Sequence, residues 1–331
     1  MAAPQPASSS GRILTAAIGV GHFGRYHAQK YAACPTSELV AVCDIDRARA
    51  ERVAAELGTR AVTDYRELLE AVDAVSVVVP TRAHHEIAKA FLAAGVHVLV
   101  EKPIAGSLDE ADDLIETARR RRVVLQVGHL ERFSSVRQAM DTAVSRPLYI
   151  EANRISPFRL RGTDVSIVLD LMIHDIDLVL SLVDAPVIGV DAVGAPVLSD
   201  LEDIASCRIR FANGCVANIT ASRISAKNER KMRIFQPNAY LSVDFLAQKL
   251  VVARRSPGKD GQPHIGVDEK TVVEGDSLQR QIEAFLAAVR GERPPMVSGE
   301  AGRLALKTAM QIGESLEQHR QFVHSHLEAE T

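Results

Sequence analysis

Six residues constrain this chain more than any others. Gly19-Val20-Gly21-His22-Phe23-Gly24 ends an apolar, strand-like run at 13–20 and opens a stretch with helical spacing at 24–33. Glycines at these three places permit a tight turn, bring the backbone close to a pyrophosphate and pack the helix closely on the strand. The phosphates then meet the N-terminus of the helix. Asp44 follows, about 20 residues beyond the last glycine, where a carboxylate accepts hydrogen bonds from the adenosine ribose hydroxyls of a dinucleotide. The competing reading is an ordinary glycine turn with Asp44 capping the next helix. Strand, glycines, helix and acid in register favour the dinucleotide site, and the acid favours NAD over NADP. Arg47 and Arg49 nearby keep a 2′-phosphate as the minority alternative.

The rest of the first third repeats this rhythm. Short runs rich in valine and isoleucine at 39–43, 74–79, 96–100 and 123–127 alternate with helical spacing at 47–57, 86–94 and 108–121. Near-continuous apolar strands separated by helices indicate a doubly wound parallel sheet. After about residue 128 the pattern changes to antiparallel-type strands at 149–155, 205–211, 215–224, 232–235 and 240–245, with Asn213-Gly214 as a hairpin turn. A long apolar helix at 164–183 interrupts them, and two helices, 274–290 and one capped by Ser298, close the chain. The stretch 259–264 between two prolines reads as a surface loop. A chain of 331 residues exceeds the roughly 250–300 at which one core divides. The expected organisation is a tail at 1–11, an α/β Rossmann domain at 12–128 and an α+β domain with a large open, mostly antiparallel sheet at 129–331.

Charge and cysteine usage narrow the function classes. The 39 basic and 42 acidic residues nearly cancel, so no global field draws nucleic acid or an anionic membrane. The basic run Arg119 to Arg122 ends a helix, where it complements the helix dipole. No uncharged apolar stretch is long enough to span a bilayer, and residues 1–12 resemble no targeting segment. Four scattered cysteines without metal-ligand spacing fit a reduced, cytoplasmic setting. Adjacent His84 and His85 point apart and make no metal site.

Two further features carry chemistry. Lys102, in Val100-Glu101-Lys102-Pro103, projects from the C-terminal end of a strand of the parallel sheet, the edge where ligands of such sheets gather. Alone it is a surface charge. In the apolar helix, Asp170, His174 and Asp177 recur with helical spacing as one polar stripe. Burying them is costly unless they are paired or face a polar cavity, and a carboxylate beside an imidazole sets its tautomer and basicity. A structural Asp–His pair is the plain alternative. With a dinucleotide fingerprint and Lys102 in the same chain, oxidation of an alcohol is the better reading: His174 as base, Lys102 as orienting cation, Asp170 as positioning group.

Gly19 to Gly24, Pro80-Thr81 with His84, Glu101-Lys102-Pro103, and Asp170 with His174 resemble successive hallmarks of the glucose-fructose oxidoreductase and inositol dehydrogenase (Gfo/Idh/MocA) family. The resemblance implies bound nicotinamide cofactor contacted by Gly19, Gly21, His22, Phe23, Gly24, Asp44, Pro80, Thr81, His84, Glu101 and Lys102. It also implies Lys102, Asp170 and His174 as the catalytic set, and a homodimer or homotetramer built on the open sheet. Within the family, 127–133, 168–179, 213–225 and 235–244 are similar to the group that oxidises the 3-hydroxyl of UDP-N-acetylglucosamine, whose product is aminated for lipid A. Arg154, Arg159 and Arg161 offer guanidinium forks for such a diphosphate, and Phe158 offers a stacking surface. Solvated loop arginines are the alternative. Tyr149 and Arg223 are further candidates. A dehydrogenase of a free polyol and a nonenzymatic NAD(H)-binding protein are the competing functions; neither predicted use involves a metal.

Overall fold

Branched apolar residues, which fit a pleated and doubly covered surface, recur in six short strands: β1 (Ile13–Ile18), β2 (Ser37–Cys43), β3 (Arg60–Val62), β4 (Ala74–Val77), β5 (His97–Glu101) and β6 (Leu125–Gly128). The computed structural model describes residues 11–158, 165–258 and 262–329. All six strands run parallel in the order β3-β2-β1-β4-β5-β6. The order reverses between β1 and β4, so their C-terminal ends form the switch point at which open α/β sheets bind ligands. Four helices alternate with these strands: α1 (His22–Ala33), α2 (Arg47–Leu57), α3 (His84–Ala94) and α4 (Leu108–Arg121). Local chemistry sets their ends. Asp46 and Ser107 cap α2 and α4 by accepting from the N–H groups of Arg49 and Glu110, and Arg119, Arg120 and Arg121 occupy the last turn of α4.

A second compact unit holds an eight-stranded sheet. Its strands are β7 (Tyr149–Ile155), β8 (Val187–Ala195), β9 (Ile204–Phe211), β10 (Val216–Ser222), β11 (Glu229–Gln236), β12 (Ala239–Asp244), β13 (Lys249–Pro257) and β14 (Pro263–Thr271). The order is β14-β13-β12-β11-β7-β10-β9-β8, antiparallel throughout except for β7 beside β10. Alternate residues of the central strands, among them Ile150, Ile219, Ile234 and Leu241, bury against Met172, Ile176 and Val179. Helices α5 (Ser135–Met140) and α6 (Ile173–Leu182) lie in this unit. Asn213-Gly214 turns β9 into β10, with Gly214 at φ +86°.

Several sequence expectations shift. The helix expected over 164–183 is a π turn, Val168–Met172, running into α6. Pro257 and Pro263 pair at the facing ends of β13 and β14, so His264 lies on β14, while 259–261 of the expected loop lie outside the described residues. The domain division also differs from 12–128 and 129–331. The first unit takes Asp276–Arg303 as well as the chain up to Phe133, and the second takes Ser134–Gly275 and the chain from Leu304. The reason is packing. Ile282, Phe285 and Leu286 of α7 (Ser277–Val289) share a core with Ile13, Tyr31 and Leu99, whereas Ala309, Ile312 and Leu316 of α8 (Gly299–Ala329) join the core of the eight-stranded sheet. Among the described residues no helix is long and apolar enough to cross a membrane, and no group of three or more His, Cys, Asp or Glu is placed to hold a metal ion.

Candidate active site

The glycine turn is built by backbone contacts. Gly19 has φ +83°, and a β-carbon on it would lie 2.4 Å from the carbonyl oxygen of Val78. A β-carbon on Gly24 would lie 1.8 Å from the carbonyl oxygen of Gly19. Both glycines are therefore demanded by the strand–helix packing itself. Gly21 differs: a β-carbon there would meet nothing within 4 Å. Gly21 is also the N-cap of α1, and no side chain caps that helix. The first N–H groups of a helix need an acceptor, so an open face beside uncapped donors suits a pyrophosphate. His22 and Phe23 stand exposed on the first turn.

Asp44 is only 5% exposed and ties the turn to β2. Its carboxylate accepts the N–H groups of Val20 at 3.0 Å and Asp46 at 2.9 Å, and the Arg49 guanidinium at 3.1 and 3.2 Å. Arg49 thus pairs with Asp44, and with Asp46 at 3.2 Å. Asp44, Arg49, Gly19, Gly21 and Pro80 line one cavity of about 400 Å³, a size that fits part of a small-molecule ligand. Thr81, half-buried, opens the 3-10 turn that leads into α3.

His84, expected as a cofactor contact, sits between two backbone carbonyls. It is 1% exposed, with Nδ1 2.8 Å from the carbonyl of Pro103 and Nε2 2.9 Å from the carbonyl of Val79. Burial pushes its pKa down, and the two backbone contacts and Glu101 only partly offset this. The ring braces two loops and does not line the cavity. Its neighbour His85 points the other way, onto Asp113 at 2.6 Å.

Glu101 ends β5 and Lys102 follows it, half-buried. The Lys102–Pro103 peptide is cis. Glu101 Oε2 accepts the Lys102 N–H at 3.3 Å, and Oε1 lies 3.3 Å from His27 Nε2. A β-carbon on Gly128 would fall 2.3 Å from Oε1, so the glycine at the end of β6 makes room for this carboxylate. His27, Ser76 and Tyr31 are buried polar residues next to it that the sequence reading did not single out. The available signal was a histidine and a tyrosine on the apolar face of α1, beside Ala28.

In the second unit, Asp170 lies within the π turn and His174 in the first turn of α6, both half-buried, while Asp177 is buried. A π turn widens the helix locally and is common at functional sites. The stripe read as one face is thereby divided into a half-exposed pair and a buried acid. Arg154 is corrected: it is 4% exposed and grips Asp175, Nε to Oδ2 at 2.7 Å and Nη2 to Oδ1 at 3.3 Å. A guanidinium committed to a buried carboxylate is not an open fork for a diphosphate. Arg223 is also buried, donating to the carbonyls of Val165 and Glu202, and the Tyr149 hydroxyl bonds to Glu151 and Asn218. Phe158 is half-buried. Arg159 and Arg161 lie outside the described residues.

Comparison with known proteins agrees with this fold. Residues 13–129 match the oxidoreductase family with NAD-binding Rossmann fold, and residues 123–241 match the GFO/IDH/MocA C-terminal domain. The chain is 42% identical to UDP-N-acetylglucosamine 3-dehydrogenase of Acidithiobacillus ferrooxidans over 307 residues, 92% of this chain and 97% of that one. A solved structure of that enzyme superposes with a TM-score of 0.87 at 41% identity, covering 93% of this chain and 99% of that one. Myo-inositol 2-dehydrogenase of Thermotoga maritima is 29% identical over 92% of this chain and 96% of its own length.

Proposed function

The chain belongs to the GFO/IDH/MocA oxidoreductase family, and on that premise we propose that it oxidises a sugar hydroxyl to a ketone, specifically the 3-hydroxyl of UDP-N-acetylglucosamine. The observation that carries the chemistry is Lys102, half-buried just beyond the C-terminal end of β5, on the same sheet edge as the glycine turn that follows β1, with β4 between the two strands. The sugar rests on the end-to-end likeness to the Acidithiobacillus enzyme.

A bound nicotinamide dinucleotide supplies the hydride acceptor. The N-terminus of α1, with Gly21 open beside it, holds the pyrophosphate, and Asp44 holds the adenosine ribose. Asp44 disfavours a 2′-phosphate, and Arg49, which could offset that charge, is already paired with it; this supports NAD over NADP. Lys102 orients the substrate hydroxyl and stabilises the alkoxide as it forms. His174 accepts the hydroxyl proton, and Asp170 holds the imidazole or a neighbouring hydroxyl in place. Carbon loses hydride, oxygen loses a proton, and the 3-keto sugar results, ready for amination on the way to lipid A. A cytoplasmic protein with four buried thiols and a homodimer or homotetramer complete the reading. Exposed Ile265 and Val267 on β14 are the kind of apolar surface that association covers.

Incubation with NAD and UDP-N-acetylglucosamine should give a product lighter by two hydrogens in mass spectrometry. The likeness to an inositol dehydrogenase supplies the rival substrate class. Oxidation of inositols or free monosaccharides with none of UDP-sugars would overturn the assignment.

A further inference from the structure

We propose that His27 is a positioning residue for Lys102 and acts through Glu101; the proposal rests on reading Lys102 as the substrate-orienting cation. A chain of polar groups runs through the interior of the first unit. The Tyr31 hydroxyl lies 2.8 Å from Ser76 Oγ, and Ser76 Oγ lies 3.0 Å from His27 Nδ1. His27 Nε2 lies 3.3 Å from Glu101 Oε1, and Glu101 Oε2 accepts the Lys102 N–H at 3.3 Å. Tyr31, Ser76 and His27 are 0% exposed and Glu101 is 9% exposed. None of the four lines the cavity beside the glycine turn.

The sense of the chain follows from counting protons. Each hydroxyl has one hydrogen to give. If Tyr31 donates to Ser76 and Ser76 to Nδ1, both hydroxyl hydrogens are used and the imidazole carries its hydrogen on Nε2, on the side of the carboxylate, 3.3 Å from Oε1 without forming a hydrogen bond to it. The reverse sense leaves a buried tyrosine hydrogen without an acceptor and aims a bare nitrogen lone pair at Glu101, both costly. The arrangement is not a proton wire. Its far end is fully buried, and burial holds the Tyr31 hydroxyl well above the ordinary tyrosine range, offset only in part by Ser76.

What the chain does is hold a carboxylate still. His27 faces Glu101 from α1, Gly128 leaves only enough space for it on the β6 side, and the carboxylate fixes the N–H of Lys102. On the other flank His84 holds the carbonyl of Pro103 at 2.8 Å. The residues on either side of Lys102 thus each lie against a buried histidine, which limits where a long flexible side chain begins. His27 also meets the ring of Phe23 at 5.5 Å, so the helix that starts at the glycine turn carries this brace as well.

The test compares His27→Asn, whose amide reaches Ser76 but falls short of Glu101, with His27→Gln, whose amide extends to the Nε2 position. His27→Asn should lower kcat by roughly 10- to 100-fold, the scale expected for a catalytic group displaced by about 1 Å. KM and the NADH dissociation constant should stay near wild type, and His27→Gln should recover most of the loss. Independently of turnover, the pH profile for acylation of Lys102 by acetic anhydride, read by mass spectrometry, should shift in His27→Asn and return in His27→Gln. Should His27→Asn fail to fold, Glu101→Gln should lower kcat on the same scale and shift the Lys102 acylation profile in the same way. A fall in thermal stability with kcat and the Lys102 profile unchanged overturns the proposal and leaves His27 a structural residue. Lys102→Ala separates the two failures: full turnover in that variant removes the underlying reading, whereas an inactive Lys102→Ala beside a normal His27→Asn removes only the role of His27.

Discussion

The two units place their candidate residues by different means. In the parallel-sheet unit, Gly19, Gly24, Asp44 and Lys102 sit where a strand ends or a helix begins, and backbone geometry leaves them little choice. In the antiparallel unit, Arg154 lies on β7 and Asp175 on α6, and the partner of each was decided by packing. A glycine demanded by a carbonyl 2.4 Å or less away announces itself locally. A guanidinium accepts any carboxylate that the fold brings to it, so its role is settled only after folding.

The largest effects test whether residues from both units serve one reaction. Lys102→Ala and His174→Ala should each lower kcat by roughly 10²- to 10⁴-fold while NADH binding, followed by fluorescence, persists. Loss in only one of the two would break the joint assignment.

Next comes Asp175→Ala, which removes the buried carboxylate that Arg154 grips and should cost about 3–5 kcal/mol in denaturant unfolding. A stable variant with a raised KM for the nucleotide sugar would instead return Arg154 to substrate binding. Gly24→Ala and Gly21→Ala sharpen the contrast within the first unit. Gly24→Ala drives a methyl group into the Gly19 carbonyl and should destabilise by about 1–3 kcal/mol. Gly21→Ala has room, so it should keep its Tm and lose affinity for NADH. Equal Tm losses would show that Gly21 serves the fold and not the ligand.

The smallest effect concerns a purely structural acid of the second unit. Burial pushes the Asp203 pKa up, but the Ser199 hydroxyl and the N–H groups of Leu198, Val197 and Ser199 outweigh it and hold the value at about 2, below its ordinary 3.8. Because the folded pKa is the lower one, this stabilisation is complete above pH 3.8 and fades as pH falls toward 2. Asp203→Asn should cost roughly 1–3 kcal/mol at neutral pH and flatten that part of the acid-unfolding curve. An unchanged curve would show that the loop at 197–203 contributes nothing to acid stability.

Legibility followed the same divide. The Rossmann half could be read because strand, glycine turn and helix each leave a short-range mark, and the hairpin at Asn213-Gly214 could be read for the same reason. β8 and β14 were missed because little of them is buried, and β13 because only Leu250 and Val252 at its start are, so no sustained apolar alternation betrays them. The π turn at Val168–Met172 escaped because apolar residues surround that segment and give no sign of its pitch.

The sequence by itself determined the fold of the first unit, the place of its glycine turn and the strand end that carries Lys102, since these depend on neighbours a few residues apart. Only the tertiary structure decided that α7 returns to the first core, that Arg154 belongs to Asp175, that His84 braces loops, and that His27 stands behind Glu101. Those pairings join residues far apart in the chain, and a side chain's charge or hydrogen-bonding capacity names a class of partner without saying which member of it folding will supply.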